Sequence, residues 1–469
     1  MILIRDAEVE CRRVDVRIAD GCVAEIGVHL DGRPGEEVLV ADGGALLPGL
    51  VDHHLHLHAL AAAARSTPCG PPEVRDPAGL AAALAAARTD EHRWIRGVGY
   101  HESVAGHLDA AALDRLHAAR PVRLQHRSGA LWVVNGAGAQ RLGLADATYP
   151  GIERTPDGAP TGRLWRADDW MRSRLPSTGP PNLAAVGDRL ARLGITAVTD
   201  ATPDLEPAAL DALAAAVTTG VLPQRVHLLG VPLGVAPRAP LTAGPYKIVL
   251  ADSGLPDLDT LTATIGAAHA LSRPVAVHCV TREAFVLLLT ALHDAGCVAG
   301  DRIEHAALVP AELVGDLARR GLRVVTQPGF LAHRGDDYLR DLPATDHPDL
   351  YRCRSLLDAG VPVALSSDAP YGPLDPWTVL AAAAHRRTPS GAVAGRAERL
   401  APADALDAYL APPEDPGGPP RRIRPGTPAD LALLDRPLEA VLTDPSLTPV
   451  RATFIAGYAH VPASGTSVG

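Results

Sequence analysis

Along residues 1 to about 44, apolar and polar positions alternate in short runs, ILIRDAEVE, VDVRIADG, CVAEIGVHL and EEVLVADG, broken by Gly and Asp. A two-residue period of this kind predicts small antiparallel strands. From there to about residue 400 the pattern changes to apolar runs separated by Ala/Leu-rich stretches of helical length. Candidate strands are 46–52, 121–126, 195–200, 225–230, 246–250, 275–279, 302–305, 322–327 and 361–366. The helices between them have recognisable ends: Thr281 with Glu283 in TREAFVLLLTALHDAG, closed by Gly296; PAELVGDLARRG, closed by Gly321; LYRCRSLLDAG, closed by Gly360. Strand, helix, glycine, strand is the rhythm of a parallel α/β sheet. Nine candidates exceed by one the eight strands of a parallel barrel, and 225–230 is the suspected rim strand.

The segments 66–120 and 144–182, the latter rich in Pro and Gly, read as loop elaborations over one face of that barrel. APPEDPGGPP at 411–420 reads as a linker. After it PADLALLD and VRATFIAGYAHV return to alternation, so the C-terminus is expected to complete the N-terminal β module. The expected organisation is therefore a composite β domain of 1–45 and 421–469 around an α/β body of 46–420.

Within this pattern ALLPGLVDHHLHLH, residues 45–58, stands apart, because four histidines crowd behind an apolar run. On an extended strand His54, His56 and His58 share one face and His53 points to the other. Two imidazoles at i and i+2 can grip one metal ion. A solvated polar strand end explains less, since Leu50, Val51, Leu55 and Leu57 mark a buried strand, where unpaired imidazoles are costly.

Composition narrows the function further. The formal charge of −10 and the lack of a basic cluster argue against nucleic acid or an anionic membrane as partner. A small-molecule substrate fits better; a homo-oligomer is compatible with the sequence. The six cysteines have no CxxC spacing and the N-terminus is charged where a signal peptide needs an apolar core, which predicts free thiols and a cytoplasmic location. No apolar run reaches membrane-spanning length. Of 44 basic residues a single one, Lys247, is lysine. A bias toward arginine codons explains the loss of the others but not the survival of this one inside GPYKIVLA.

In a parallel barrel, reactive groups gather at the C-terminal ends of the strands. The candidate strands end in His54 and His56, in the Lys247 segment, in His278 of VAVHC, in His305 of RIEH and in Asp368 of VALSSD. Taken singly, each has a bland reading: a satisfied core histidine, a helix cap, a snorkelling lysine. Taken together they point to a divalent metal site, for which zinc, a binder of imidazole and carboxylate, is the default ion.

The segments PGLVDHHLHLH, KIVLADSG, VAVHC, DRIEHA and ALSSDAPYGPLDPW resemble the amidohydrolase superfamily. WIRGVGYHE, ALWVVNGAG, GITAVTDA, VVTQPGF, AHRRTPSG and PGTPADLALLD resemble its amidohydrolase type 3 branch. The resemblance implies a distorted (β/α)8 TIM barrel with a small β-sandwich built from both termini. It implies His54 and His56 as the ligand pair counted from Asp52, with His53 and His58 as supporting residues. It further implies one or two ions: one held by His54, His56 and Asp368, the other by His278 and His305, with Lys247 carbamylated by CO2 to bridge them. A buried amine can lose its proton and react, as a guanidinium cannot. The expected reaction is hydrolysis of a C–N bond in a small amide, cyclic amide or N-acyl compound by hydroxide generated at the metal, with Asp368 moving the proton. Tyr100, His101, His126, Trp132, Gln327 and Tyr371 are candidate pocket residues. Deamination, decarboxylation or ester hydrolysis on the same site, or a non-catalytic scaffold, are the alternatives.

Overall fold

A computed structural model describes residues 1–176, 179–251, 254–445 and 449–460. The chain divides into two compact units, one of residues 1–57 and 183–469 and the other of residues 58–182. Among the described residues no helix is long and apolar enough to cross a membrane.

The first unit holds the parallel strands. Leu50–Leu55, Ile195–Asp200, Arg225–Leu228 and Thr242–Ala243 form one parallel sheet. Tyr246–Val249, Val275–Cys279, Arg302–His305, Arg323–Thr326 and Val363–Leu365 form a second. The ladders are thus two open sheets. At their margins the Lys247 amide donates to the Leu229 carbonyl at 3.2 Å, and the Asp368 amide donates to the His54 carbonyl at 2.8 Å. Helices follow strands as expected: Thr281 caps Arg282–Ala295 by accepting from the Ala284 amide, and Gly296 leaves the helix at φ 79°. Leu288, Leu292 and Phe285 of that helix lie in one buried cluster with Val277, Ile303 and Val324 of the strands.

The N-terminal alternation does give antiparallel strands, Ile2–Val9, Arg12–Ala19 and Cys22–Gly27, with Glu37–Val40 added in parallel. A second four-stranded sheet joins Leu431–Leu434, Val450–Ile455 and Tyr458–His460 to Leu46–Pro48. Ile4, Val16 and Ile18 from the first sheet share a buried cluster with Leu46, Leu431, Leu433 and Phe454 from the second. The candidate strand 46–52 therefore divides at Gly49. The break is tight, since a Cβ there would lie 2.1 Å from the Thr196 methyl group.

Three expectations change. The extra strand is 121–126, not 225–230: Arg225–Leu228 pairs in parallel with Ile195–Asp200, whereas Val122–His126 belongs to the second unit. The segments 66–120 and 144–182 are not loop elaborations, because with residues 121–143 they build a six-stranded sheet that has buried clusters of its own around Leu84, Leu113 and Leu124 and around Trp94, Trp132 and Leu164. The stretch 411–420 is packed rather than a free linker. Arg323 donates to the Pro416 carbonyl at 2.9 Å, and Gly417 sits so close to Val363 that a Cβ would meet its amide nitrogen at 2.5 Å.

Candidate metal centre

The strand Leu50–Leu55 carries Asp52 and His54 into the interior, and His56 follows at its C-terminal end. His58 is not on the strand, which ends before it; it lies in the first turn of the helix Leu57–Ala64. The segment after Val363–Leu365 laces onto this end: Asp368 N donates to His54 O at 2.8 Å and His56 N donates to Ala369 O at 2.9 Å. Asp52 ties the same two segments from below, accepting from the amides of His54 and Ser367, each at 3.2 Å.

Each of three imidazoles is oriented through Nδ1. His54 Nδ1 meets the Glu304 carboxylate in a short contact, His56 Nδ1 meets the Thr202 hydroxyl at 3.2 Å, and His305 Nδ1 meets Gln327 Oε1 at 2.8 Å. Fixing Nδ1 in this way leaves Nε2 as the atom available to coordinate a metal. His54 Nε2 lies 3.5 Å and His56 Nε2 3.2 Å from Asp368 Oδ1. Ligand atoms of His54, His56 and Asp368 all lie within 4.8 Å of one another. The second histidine pair is adjacent, with ring centroids 4.4 Å apart for His278 and His305 and 4.8 Å for His54 and His305.

The partners are themselves held. Gln327 donates to Ser366 Oγ at 3.0 Å, Asp200 accepts from the amides of Leu57 and Thr202, and Arg302 Nε donates to Glu304. His305 and Asp368 both adopt left-handed backbone, at φ 70° and 53°. Side chains rarely take that conformation without surrounding structure to enforce it, and such residues concentrate at functional sites.

Burial sets the charge states. It holds the His54 and His305 imidazoles well below their ordinary pKa, with Lys247 and neighbouring histidines adding to the effect, so both are neutral and able to donate a lone pair. Burial also pushes the Lys247 amine down to about 8 and the Asp52 carboxyl up to about 7. His54 Nε2, Asp368 Oδ1 and Lys247 Nζ are buried without hydrogen-bonding partners. A polar atom in that condition is costly, and here nitrogen and oxygen lone pairs face one another; a divalent cation resolves both difficulties. The residues present fit a metal.

Of the candidate pocket residues, Gln327 and Tyr371 lie at this centre, Tyr371 with its ring centroid 5.6 Å from that of His56. The other four lie in the unit of residues 58–182. There Tyr100 and Trp132 are buried, the Tyr100 hydroxyl donating to Gly106 O and Trp132 Nε1 to Asp168. His101 and His126 flank Glu102, whose carboxylate is 3.0 Å from His126 Nε2. Asp252 and Ser253 of KIVLADSG lie outside the described residues. His53 is fully buried and kept neutral by burial. The sequence reading missed Glu304, Thr202 and Asp200. Glu304 stood in RIEH beside a candidate ligand, but nothing local linked it to His54.

The profile described as the amidohydrolase family matches residues 37–458. N-substituted formamide deformylase from Arthrobacter pascens is 26% identical, with 98% of this chain and 97% of that protein covered. A metal-dependent hydrolase from Pyrococcus horikoshii OT3, described as uncharacterized, superposes with a TM-score of 0.72 at 20% identity over 93% of this chain and 97% of that one. Atrazine chlorohydrolase TrzN from Arthrobacter aurescens TC1, solved in complex with zinc, gives a TM-score of 0.56 at 15% identity over 99% of this chain and 97% of that one.

Proposed function

This chain belongs to the amidohydrolase family, and on that premise we propose that it is a metal-dependent hydrolase that cleaves a C–N bond in a small amide, cyclic amide or N-acyl compound. The observation that carries the reading is the convergence of His54, His56 and Asp368, whose coordinating atoms lie within 4.8 Å of one another at the ends of two strands. The A. pascens relative bears the name of an enzyme acting on N-substituted formamides, which places formamides first among the substrates to be tested. In architecture, the two parallel sheets are read as the two parts of a distorted (β/α)8 barrel, and the two terminal sheets as a composite β-sandwich.

His54, His56 and Asp368 would hold one ion and His278 and His305 a second. Bound there, a divalent ion such as zinc would supply Lewis acidity, which lowers the pKa of water toward about 7 and polarises a carbonyl oxygen. Glu304, Thr202 and Gln327 keep the imidazoles in the tautomer that offers Nε2. Lys247, with its pKa brought to about 8, exposes a lone pair on Nζ that can add to the carbon of CO2 with release of one proton. The resulting carbamate offers oxygens where the amine offered one nitrogen. Asp368 takes a proton on its carboxylate from the attacking water and delivers it to the departing nitrogen.

The test is metal content together with C–N cleavage of N-substituted formamides, N-acyl amino acids, ureas, cyclic imides and lactams, read as the freed amine or, for the cyclic imides, as the new carboxylate. At least one equivalent of metal per chain is expected, with turnover of at least one of these classes that is lost in His54→Ala and Lys247→Ala. Protein that stays metal-free after incubation with zinc, or a Lys247→Ala variant with unchanged metal content and turnover, overturns the reading.

A further inference from the structure

Arg334 lies in the helix Gly329–Asp341, which follows the strand whose end places Gln327 on His305. The helix is interrupted at Arg334, where φ is −144° and ψ 24°. Its guanidinium lies over Phe330, with Cζ 4.2 Å from the ring centroid, and 5.6 Å from the centroid of Tyr338. Phe330 in turn packs on the turn that carries Asp368, since a Cβ on Gly372 would meet its ring at 3.2 Å. Tyr371, the ring beside His56, packs against the same apolar cluster as Phe330 and Tyr351.

What separates Arg334 from its neighbours is what it does not bind. Arg386 spends all three guanidinium nitrogens on the carbonyls of Ala394, Tyr351 and Leu350. Arg352 likewise spends its nitrogens on Val309 O, Glu398 and Asp349. Those two arginines are structural. Among the described residues Arg334 makes one hydrogen bond, from Nε to the Tyr338 hydroxyl at 2.8 Å. The carboxylates on its own helix have partners elsewhere, Asp336 in Ser390 and both Asp337 and Asp341 in Arg340. Burial opposes its charge, but the Tyr338 hydroxyl accepts from Nε and the Asp368 carboxylate favours the charged form, and the guanidinium remains a cation.

A guanidinium fixed by stacking and by Nε presents its remaining N–H groups as a planar edge, the shape that binds a carboxylate through parallel hydrogen bonds. We infer that Arg334 is the anion-recognition residue of this metal centre, and that the amide cleaved here carries a carboxylate or comparable planar anion. The inference rests on reading His54, His56 and Asp368 as a hydrolytic centre, and it narrows the substrates from amides in general to acidic ones. Lysine, a compact point charge without the planar fork, is a poor replacement.

The test uses the zinc-loaded full chain and matched pairs: N-formyl and N-acetyl amino acids against the corresponding neutral amino acid amides. The acidic member of a pair should be preferred about tenfold or more in kcat/KM, the worth of one or two charge-assisted hydrogen bonds. Arg334→Met should bring that ratio close to one, mainly through KM, and Arg334→Lys should restore only part of it. Tyr338→Phe, which leaves the rings in place and frees Nε, should lower the preference less. Hydrolysis of both members without preference, or a preference that survives Arg334→Met, overturns the anion site while leaving the hydrolase intact. If neither member is hydrolysed in any pair, binding replaces turnover as the readout, and the proposed function is judged on its own wider substrate set. Calorimetry of N-formylglycine against N-formylglycinamide then decides Arg334 by itself, and equal or absent binding of the two overturns it.

Discussion

At His54 the two ring nitrogens have separate tasks: Nδ1 meets the Glu304 carboxylate and Nε2 turns to Asp368. A carboxylate on the far nitrogen of a ligating histidine fixes the ring and raises its basicity, and losing it costs about 10- to 100-fold in metal affinity. Glu304→Gln should therefore weaken zinc binding by about that factor, as read by competition with a chromophoric chelator, and should also lower the melting temperature of the metal-free protein, because it leaves the buried Arg302 guanidinium without its carboxylate. Glu304 eluded the sequence because strand alternation puts it on the opposite face from His305, and its partner lies 250 positions away. His227 shows how burial is felt without a metal. Buried on the strand Arg225–Leu228 against Thr242, it has its pKa pushed down to about 3, first by desolvation and then by Arg302. A depressed native pKa means that its contribution to stability is complete above the unfolded value of 6.5 and is lost as pH falls toward 3. Replacing His227 with Gln should flatten the loss of stability between those limits by on the order of 1 kcal/mol or more, measured by urea unfolding at successive pH values.

At the scale of elements, the turn from Ser366 to Gly372 does most to shape the centre. Asp368 sits in it at φ 53°, its carbonyl accepts from the amides of Tyr371 and Gly372, and Ser367 Oγ accepts from Ala369 N. Gly372 closes the turn where a Cβ would lie 2.2 Å from the Ser367 carbonyl oxygen. Gly372→Ala should force that backbone apart, lowering stability by about 1–3 kcal/mol and weakening metal binding together with it; a stable variant with unaltered metal affinity would refute this. The motif SSDAPYG was visible in the sequence, but the requirement for glycine arises from closure of the turn. Strand assignment shows the same limit. Val122–His126 and Arg225–Leu228 are both short apolar runs, and nothing in their own residues says that one pairs with Leu131–Val134 and the other with Ile195–Asp200. Periodicity reports how a segment is buried, not which neighbour buries it.

At the scale of the whole molecule, the centre draws together groups that no single sheet supplies. His54 comes from one parallel sheet, whereas Lys247, His278 and His305 come from the other, and Asp368 follows that sheet's last strand. An ion bound by them all would link both sheets and would bind the native state alone. Removing metal with a chelator should lower the melting temperature and adding zinc should restore it, since free ion at 100 times its Kd contributes about 2.7 kcal/mol. An unchanged melting temperature would mean that the groups do not act as one site. The candidate ligands and their places at strand ends were legible in the sequence, because a solitary lysine and several histidines inside apolar runs are costly to bury unless they share a task. Two things belong to the tertiary structure alone. One is that residues 58–182 form a unit with its own sheet, since inserted strands carry the same local pattern as the strands they interrupt. The other is the set of contacts that orient each ligand, Glu304 on His54, Thr202 on His56 and Gln327 on His305, because these join residues far apart in the chain that only packing brings within hydrogen-bonding distance.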